Sequence, residues 1–231
     1  MITLGTTYYN CPEVLERYIE NHIDDVDHLI IVDDGSREDL RAKTFLKPDP
    51  KISLYEVFED IGFNSHGCRN LIMTKCQTEW CILMDCDRQI LNHGIQTIRE
   101  DLDDLDKNTR YSFSAHLHYK GNRTHISVND YLIRKETFWL GGGYDEEYTG
   151  IRTGDREYFA QLAHFSKHDV LADIDMILLR GPTSHIPNKN LHNKEIHLSQ
   201  KRLNEIEEAR MRIHKPVSKK SILQFSWQEL F

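Results

Sequence analysis

Apolar runs of strand length alternate with amphipathic segments along the first half of the chain. Ile2 to Thr7 reads as a short strand. Asn10 then reads as the cap of a helix with Pro12 in its first turn, and Leu15, Tyr18, Ile19 and His22 share one face of it. His28 to Asp33 is a continuous apolar run that ends in Asp33-Asp34-Gly35-Ser36, the pattern of a buried parallel strand running into a turn. Ile52 to Phe58 predicts a third strand, Gly67 to Gln77 a helix, and Trp80 to Met84 a fourth strand. Ile95, Ile98, Leu102 and Leu105 follow helical spacing. Strand and helix in this alternation imply a parallel sheet with crossover helices, and such sheets bind ligands outside the carboxyl ends of their strands. Polar clusters fall at three of those ends: Thr7-Tyr8-Tyr9-Asn10, Asp33-Asp34 and Asp85-Cys86-Asp87. They are expected to converge on one crevice.

The second half patterns differently. Tyr111 to His118 and His125 to Arg134 predict two strands around a Lys120-Gly121-Asn122 turn, and Gly141 to Gly143 a flexible loop. Asp155 to Phe165 reads as a helix, and Val170, Ala172, Ile174, Met176 and Leu178 alternate as one face of a strand. Beyond Asn190 the chain is polar, with a helix predicted through Leu203, Ile206, Ala209 and Ile213. The apolar end, Phe225 to Phe231, is expected to pack back on the domain, with a partner or membrane contact as the alternative.

Composition narrows the class. At 231 residues the chain fits one large domain, or one with a small appendage. No apolar run reaches the roughly 18 residues of a membrane span, and the start lacks the features of a signal peptide, so a cytoplasmic protein is expected. The five cysteines contain no CxxC pair, which argues against both a disulfide framework and a zinc site. A net charge of −8 argues against binding to a nucleic-acid backbone through a broad basic surface. It leaves room for a phosphate ligand carried by a divalent cation.

Asp85 and Asp87, on alternate residues at a strand exit, can both approach one hard cation and its bound phosphates. A pyrophosphate leaving group needs that help as charge builds on it. The plainer reading is a solvated turn. Asp33 to Ser36 has a plainer reading too, a turn that caps the next helix.

Taken in order, these segments resemble a family-two glycosyltransferase of the GT-A fold. Thr7-Tyr8-Tyr9-Asn10 and Ile31-Val32-Asp33-Asp34-Gly35-Ser36 resemble its start. Gly67-Cys68-Arg69-Asn70 and the run from Glu79 to Asp87 resemble its Arg-Asn helix and DxD strand. Gly142-Gly143-Tyr144-Asp145-Glu146 and the segment from Gly154 to Phe159 resemble its later acidic motifs. The match covers about residues 1–165.

The resemblance implies a GT-A-like single α/β domain over residues 1–190, with a mostly parallel central sheet flanked by helices. Its nucleotide-sugar half would span about 1–108 and its acceptor half about 109–190, followed by a short helical extension over 191–231. It implies transfer of a sugar, with inversion, from a nucleoside-diphosphate sugar (commonly UDP-linked) to a carbohydrate or other hydroxyl acceptor, with Mn²⁺ or Mg²⁺. Thr7 and Tyr9 would line the base and ribose pocket, and Asp34 would accept a hydrogen bond from the base. Arg69 would lie near the ribose or diphosphate. Asp85 would hold the ribose or a metal-bound water, Asp87 would bind the metal, and Asp155 would be the general base, with helix capping as its plainer reading. His185 is a candidate to complete the metal shell, with His192 and His197 as weaker ones.

Two departures stand out. Gly154 precedes Asp155 where the family often carries Glu, and Arg88-Gln89 follow Asp87 where a second acidic or small residue is frequent. The rivals are a sugar nucleotidyltransferase, a DxD phosphatase and a non-catalytic nucleotide-sugar-binding module. The first normally has a glycine-rich loop after strand one, where this chain has Thr7-Tyr8-Tyr9-Asn10. The second carries its nucleophile on the first strand.

Overall fold

The computed structural model describes residues 1–117, 123–149, 154–179 and 222–231. The four strands expected in the first half form: β1 (Ile2–Tyr8), β2 (His28–Asp33), β3 (Ile52–Val57) and β4 (Trp80–Leu83). They lie side by side in the order β3-β2-β1-β4, all parallel.

Their continuous apolar runs are explained by burial on both faces. Ile2, Leu4, Leu29, Ile31, Trp80 and Ile82 point to one side, where α1 (Pro12–His22) brings Leu15 and Tyr18 and α3 (Gly94–Asp101) brings Ile95 and Ile98. Ile30, Val32, Cys81 and Leu83 point to the other. There they meet Leu71 and Ile72 of α2 (Ser65–Lys75), Phe138 of α4 (Lys135–Leu140) and Tyr158 of α5 (Gly154–Leu162). Each such side chain taken fully out of water contributes about 1.5–3 kcal/mol, which favours the three-layer arrangement. Helix α2 lies especially close to β1, since a Cβ added at Gly5 would overlap the Ile72 side chain. That proximity sets the height of α2 over the strand exits.

Among the described residues the sheet has nine strands in the order β5-β8-β6-β7-β4-β1-β2-β3-β9, with β5 (Arg88–Ile90), β6 (Thr109–Leu117), β7 (Arg123–Arg134), β8 (Lys167–Leu178) and β9 (Trp227–Glu229). The single α/β domain is as expected, but the sheet is mixed rather than mostly parallel. β7 runs antiparallel to β4 and β6, β8 antiparallel to β5, and β9 antiparallel to β3, whereas β6 and β8 are parallel.

Two local expectations are corrected. Asn10 does not cap α1, whose N-cap is Cys11 with no side-chain bond. Asn10 is left-handed at φ 53 and ties two strand exits together: its N–H donates to Ser36 Oγ and its Oδ1 accepts from the Arg37 N–H. The strict alternation along β8 breaks, because the pairing with β6 jumps from Phe113↔Leu171 to Ser114↔Asp175. Leu171 therefore packs on the core before the bulge, and Ile174 and Met176 after it, while Ala172 is exposed.

The described end of the chain is not helical. β9 pairs with β3, and the Lys75 ammonium lies over the rings of Trp227, at 4.7 Å, and Tyr55, at 5.4 Å. The tail thus packs back on the domain, as its apolar sequence suggests. The helix expected around Leu203–Ile213 and the turn at Lys120–Asn122 lie outside the described residues. Among the described residues no helix is long and apolar enough to cross a membrane.

Candidate active site

The exits of β1, β2 and β4 are adjacent because the strands are adjacent, and backbone bonds lock them. The Asp34 N–H donates to the Tyr8 carbonyl at 2.9 Å, and the Met84 N–H to the Gly5 carbonyl at 3.0 Å. The two aspartates at the β2 exit divide their work. Both Asp33 oxygens accept backbone N–H groups, from Ser36 at 2.9 Å and Ala42 at 2.7 Å, so Asp33 builds the loop. Gly35 permits that loop: it has φ 72, and a Cβ there would lie 2.8 Å from the Glu59 carbonyl oxygen.

Asp34 is 5% exposed. Its Oδ2 accepts from the N–H of Asn64, the N-cap of α2, at 3.0 Å. Its Oδ1 has no hydrogen-bond partner among the described residues. Burial, with the Asp60 and Asp33 charges nearby, pushes the Asp34 carboxyl up to about 7. The Thr7 hydroxyl is likewise buried without a partner. Tyr9 presents a half-open ring, 47% exposed, and its hydroxyl donates to Asp60 Oδ2 at 2.7 Å.

Helix α2 carries the centre of the site. His66, Arg69 and Asn70, spaced i, i+3 and i+4, share one face. Asn70 braces the loop that follows α4: its Oδ1 accepts from the Tyr144 N–H and its Nδ2 donates to the Tyr144 carbonyl, each at 2.8 Å. The Arg69 guanidinium is 4% exposed. It donates to Asp85 Oδ1 at 2.8 Å and to the Tyr144 hydroxyl at 3.1 Å, and its Nη1 lies 3.5 Å from Asp155 Oδ1. One buried cation thus bridges the carboxylate at the β4 exit and the one at the start of α5.

Asp155 is the second residue of α5, and its carboxylate faces inward rather than capping the helix. Burial alone would raise its pKa. The His66 ring, 3.8 Å from Oδ2, and the Arg69 charge outweigh burial and hold it below the ordinary carboxylate value.

Asp87 lies at the open side, its side chain 48% exposed, with Arg88 Nε at 3.6 Å. Partial loss of water and the adjacent Asp85 charge raise it to about 6. Asp130, on β7, is fully buried. Its Oδ1 accepts from the Asp85 N–H at 2.8 Å, and its Oδ2 accepts from the Ser127 hydroxyl. Arg88 Nε lies 3.6 Å from Asp130 Oδ2 as well, so Arg88 is an internal partner of two carboxylates rather than a free surface residue.

Asp85 and Asp87 offer hard oxygen ligands beside each other in an acidic setting, and that donor set fits Mg²⁺ or Mn²⁺ with phosphate or water completing the shell. Among the described residues no group of three His, Cys, Asp or Glu is arranged to hold a metal. His185, His192 and His197 lie outside the described residues.

The structure therefore brings Asp85 and Asp155 each against Arg69, with Asp87 near Asp85 and Thr7, Tyr9 and Asp34 at the neighbouring exits. Two members escape the sequence. Asp130 sits in a strand with no motif around it, and only its acidic character in an apolar run (Tyr131, Leu132, Ile133) signals a special role. His66 lies one turn before Arg69 on the same face, a spacing that was there to be read.

The sequence model of glycosyl transferase family 2 matches residues 3–162. No curated protein matches the chain. The crystal structure of S. aureus TarS 1-349 is similar, with a TM-score of 0.55 at 12% identity. The likeness covers 77% of this chain and 60% of that one, and at this identity it shows the fold alone.

Proposed function

The chain belongs to glycosyl transferase family 2, and from that premise we propose that it is an inverting glycosyltransferase using a uridine-diphosphate sugar and a divalent cation. The observation that carries this reading is the Arg69 bridge, which couples Asp85 on the donor side to Asp155 on the acceptor side.

Tyr9 offers its open ring to stack on the base. Asp34 Oδ1, buried and unmatched, accepts a hydrogen bond from a base N–H, as uracil provides. Thr7 lines the same pocket. Asp85 and Asp87 hold the cation, which when bound neutralises charge building on the diphosphate. Asp155 takes the proton from the acceptor hydroxyl. The hydroxyl oxygen forms its bond to the anomeric carbon on the face opposite the diphosphate as the old glycosidic bond breaks, so the configuration inverts and nucleoside diphosphate leaves. Arg69 keeps Asp155 ionised and fixed without occupying its outer face.

Calorimetry with UDP tests this, in Mn²⁺ and in chelator. Binding that needs the cation is expected. Equal affinity in both conditions removes the metal from the reading, and no affinity for UDP in either removes the donor.

A further inference from the structure

Asp155 is backed by a side chain to which the family resemblance assigns no role. His66 is 1% exposed, and neither of its ring nitrogens has a hydrogen-bond partner among the described residues. Leaving buried polar atoms unmatched costs free energy, so such atoms call for an explanation in the chemistry of their site. Phe63 and Tyr144 flank the ring, 5.7 and 5.4 Å away between ring centroids. Asp155 Oδ2 lies 3.8 Å from His66 Nε2. The gap exceeds hydrogen-bond length, and catalytic contacts of this kind often tighten only around substrate.

Gly154 makes this placement possible. A Cβ at position 154 would lie 2.8 Å from both Cε1 and Nε2 of His66, and 3.0 Å from the Tyr148 Cβ. The ring fills the space that a side chain next to Asp155 would need. The glycine before Asp155 and the histidine on α2 are therefore two halves of one arrangement.

We infer that His66 is a positioning residue for sugar transfer: its Nε2–H donates to Asp155 Oδ2 and holds the carboxylate with its outer lone pairs toward the acceptor hydroxyl. Exposure settles which of the two meets the acceptor. The Asp155 side chain is 19% exposed and His66 is 1%, so the proton passes to Asp155 and His66 acts through it. The inference rests on Asp155 being the general base.

The direct test needs no acceptor. The Asp155 carboxyl is followed by carbon-13 NMR against pH in the 231-residue chain, its signal assigned by its loss in Asp155→Asn. In His66→Leu the midpoint should move to higher pH. In His66→Gln, which returns an N–H near the position of Nε2, it should move back toward the wild-type value. An unchanged midpoint in His66→Leu, or an equal rise in both variants, overturns the inference.

Release of UDP from UDP-glucose, UDP-galactose and UDP-N-acetylglucosamine, with Mn²⁺ and water as acceptor, adds the kinetic arm. His66→Leu should lower kcat by about tenfold or more with KM unchanged, as expected for a misplaced base. If Asp155→Asn abolishes release and His66→Leu leaves it intact, only this inference fails. If Asp155→Asn keeps full release, the assignment of the base fails first.

Discussion

Asn in place of Asp155 removes a charge and almost nothing else, so its consequences separate catalysis from architecture. A helix-capping Asp predicts no loss of stability, because Asn caps as well as Asp. The structure predicts a loss. Asp155 lies 3.5 Å from Arg69 Nη1 and 3.8 Å from His66 Nε2, with its side chain 19% exposed. Removing one partner of a fully buried pair costs ~3–5 kcal/mol. Here both contacts are longer than hydrogen bonds, and Arg69 keeps Asp85 at 2.8 Å. The expected loss is therefore smaller, about 1–2 kcal/mol, or roughly 2–8 °C in Tm for a domain of this size.

The sign with pH follows from linkage. Folding lowers the Asp155 pKa from its ordinary 3.8. Its contribution is thus complete above that value and disappears as pH falls through the lower folded one. The gap in Tm between wild type and variant should be full at pH 7 and narrow below about pH 4. With Asp155 acting on the acceptor, as proposed, UDP affinity should hold while turnover falls ~10²–10⁴-fold. The assays are thermal unfolding at several pH values, calorimetry with UDP, and UDP release from the sugar panel. A variant with wild-type Tm and wild-type turnover would refute both the ion-pair arithmetic and the assignment of the base.

Three further outcomes follow from the same geometry. Asp87→Asn should keep the fold, because the carboxylate is 48% exposed, yet weaken Mn²⁺ and UDP binding together; calorimetry showing undiminished binding of both places the cation elsewhere. Asp34, raised to about 7, keeps in the native state a proton that the unfolded chain releases from about pH 4 upward, so this group lowers stability progressively as pH rises from about 4 to 7. Asp34→Asn should therefore raise stability at pH 8 by up to roughly 4 kcal/mol, leave Tm unchanged at pH 4, and weaken UDP binding; a lower Tm at pH 8 contradicts this. Glu146 accepts the N–H groups of Leu223 and Gln224 and the Asn70 amide. Glu146→Ala should cost about 2–4 kcal/mol and speed hydrogen exchange at Leu223 and Gln224; unchanged exchange there would show the clamp to be unimportant.

Periodicity is local, and the features that depend on it were readable from the chain. The apolar runs ending in Tyr8, Asp33 and Leu83 became adjacent parallel strands because both faces of each are buried. Their polar exits had to share one edge of the sheet. The family's motifs then followed in order, since each is carried by a single strand exit or helix start.

Partnership between distant segments was not readable. Whether a strand pairs parallel or antiparallel depends on its neighbours, so the mixed sheet and the addition of β9 beside β3 emerged only on folding. One bulge opposite Ser114 overrode the alternation along β8. Asp33 and Asp34 look equivalent in sequence, and only the surrounding backbone N–H groups divide them into a loop builder and a carboxylate with a free oxygen. Asp130 reaches the Asp85 N–H across 45 residues, and His66 reaches Asp155 across 89, because β7 packs on β4 and α2 lies over the strand exits. Hydrophobic pattern placed the elements; the desolvated contacts among Arg69, Asp85, Asp155 and His66 exist only once those elements have packed.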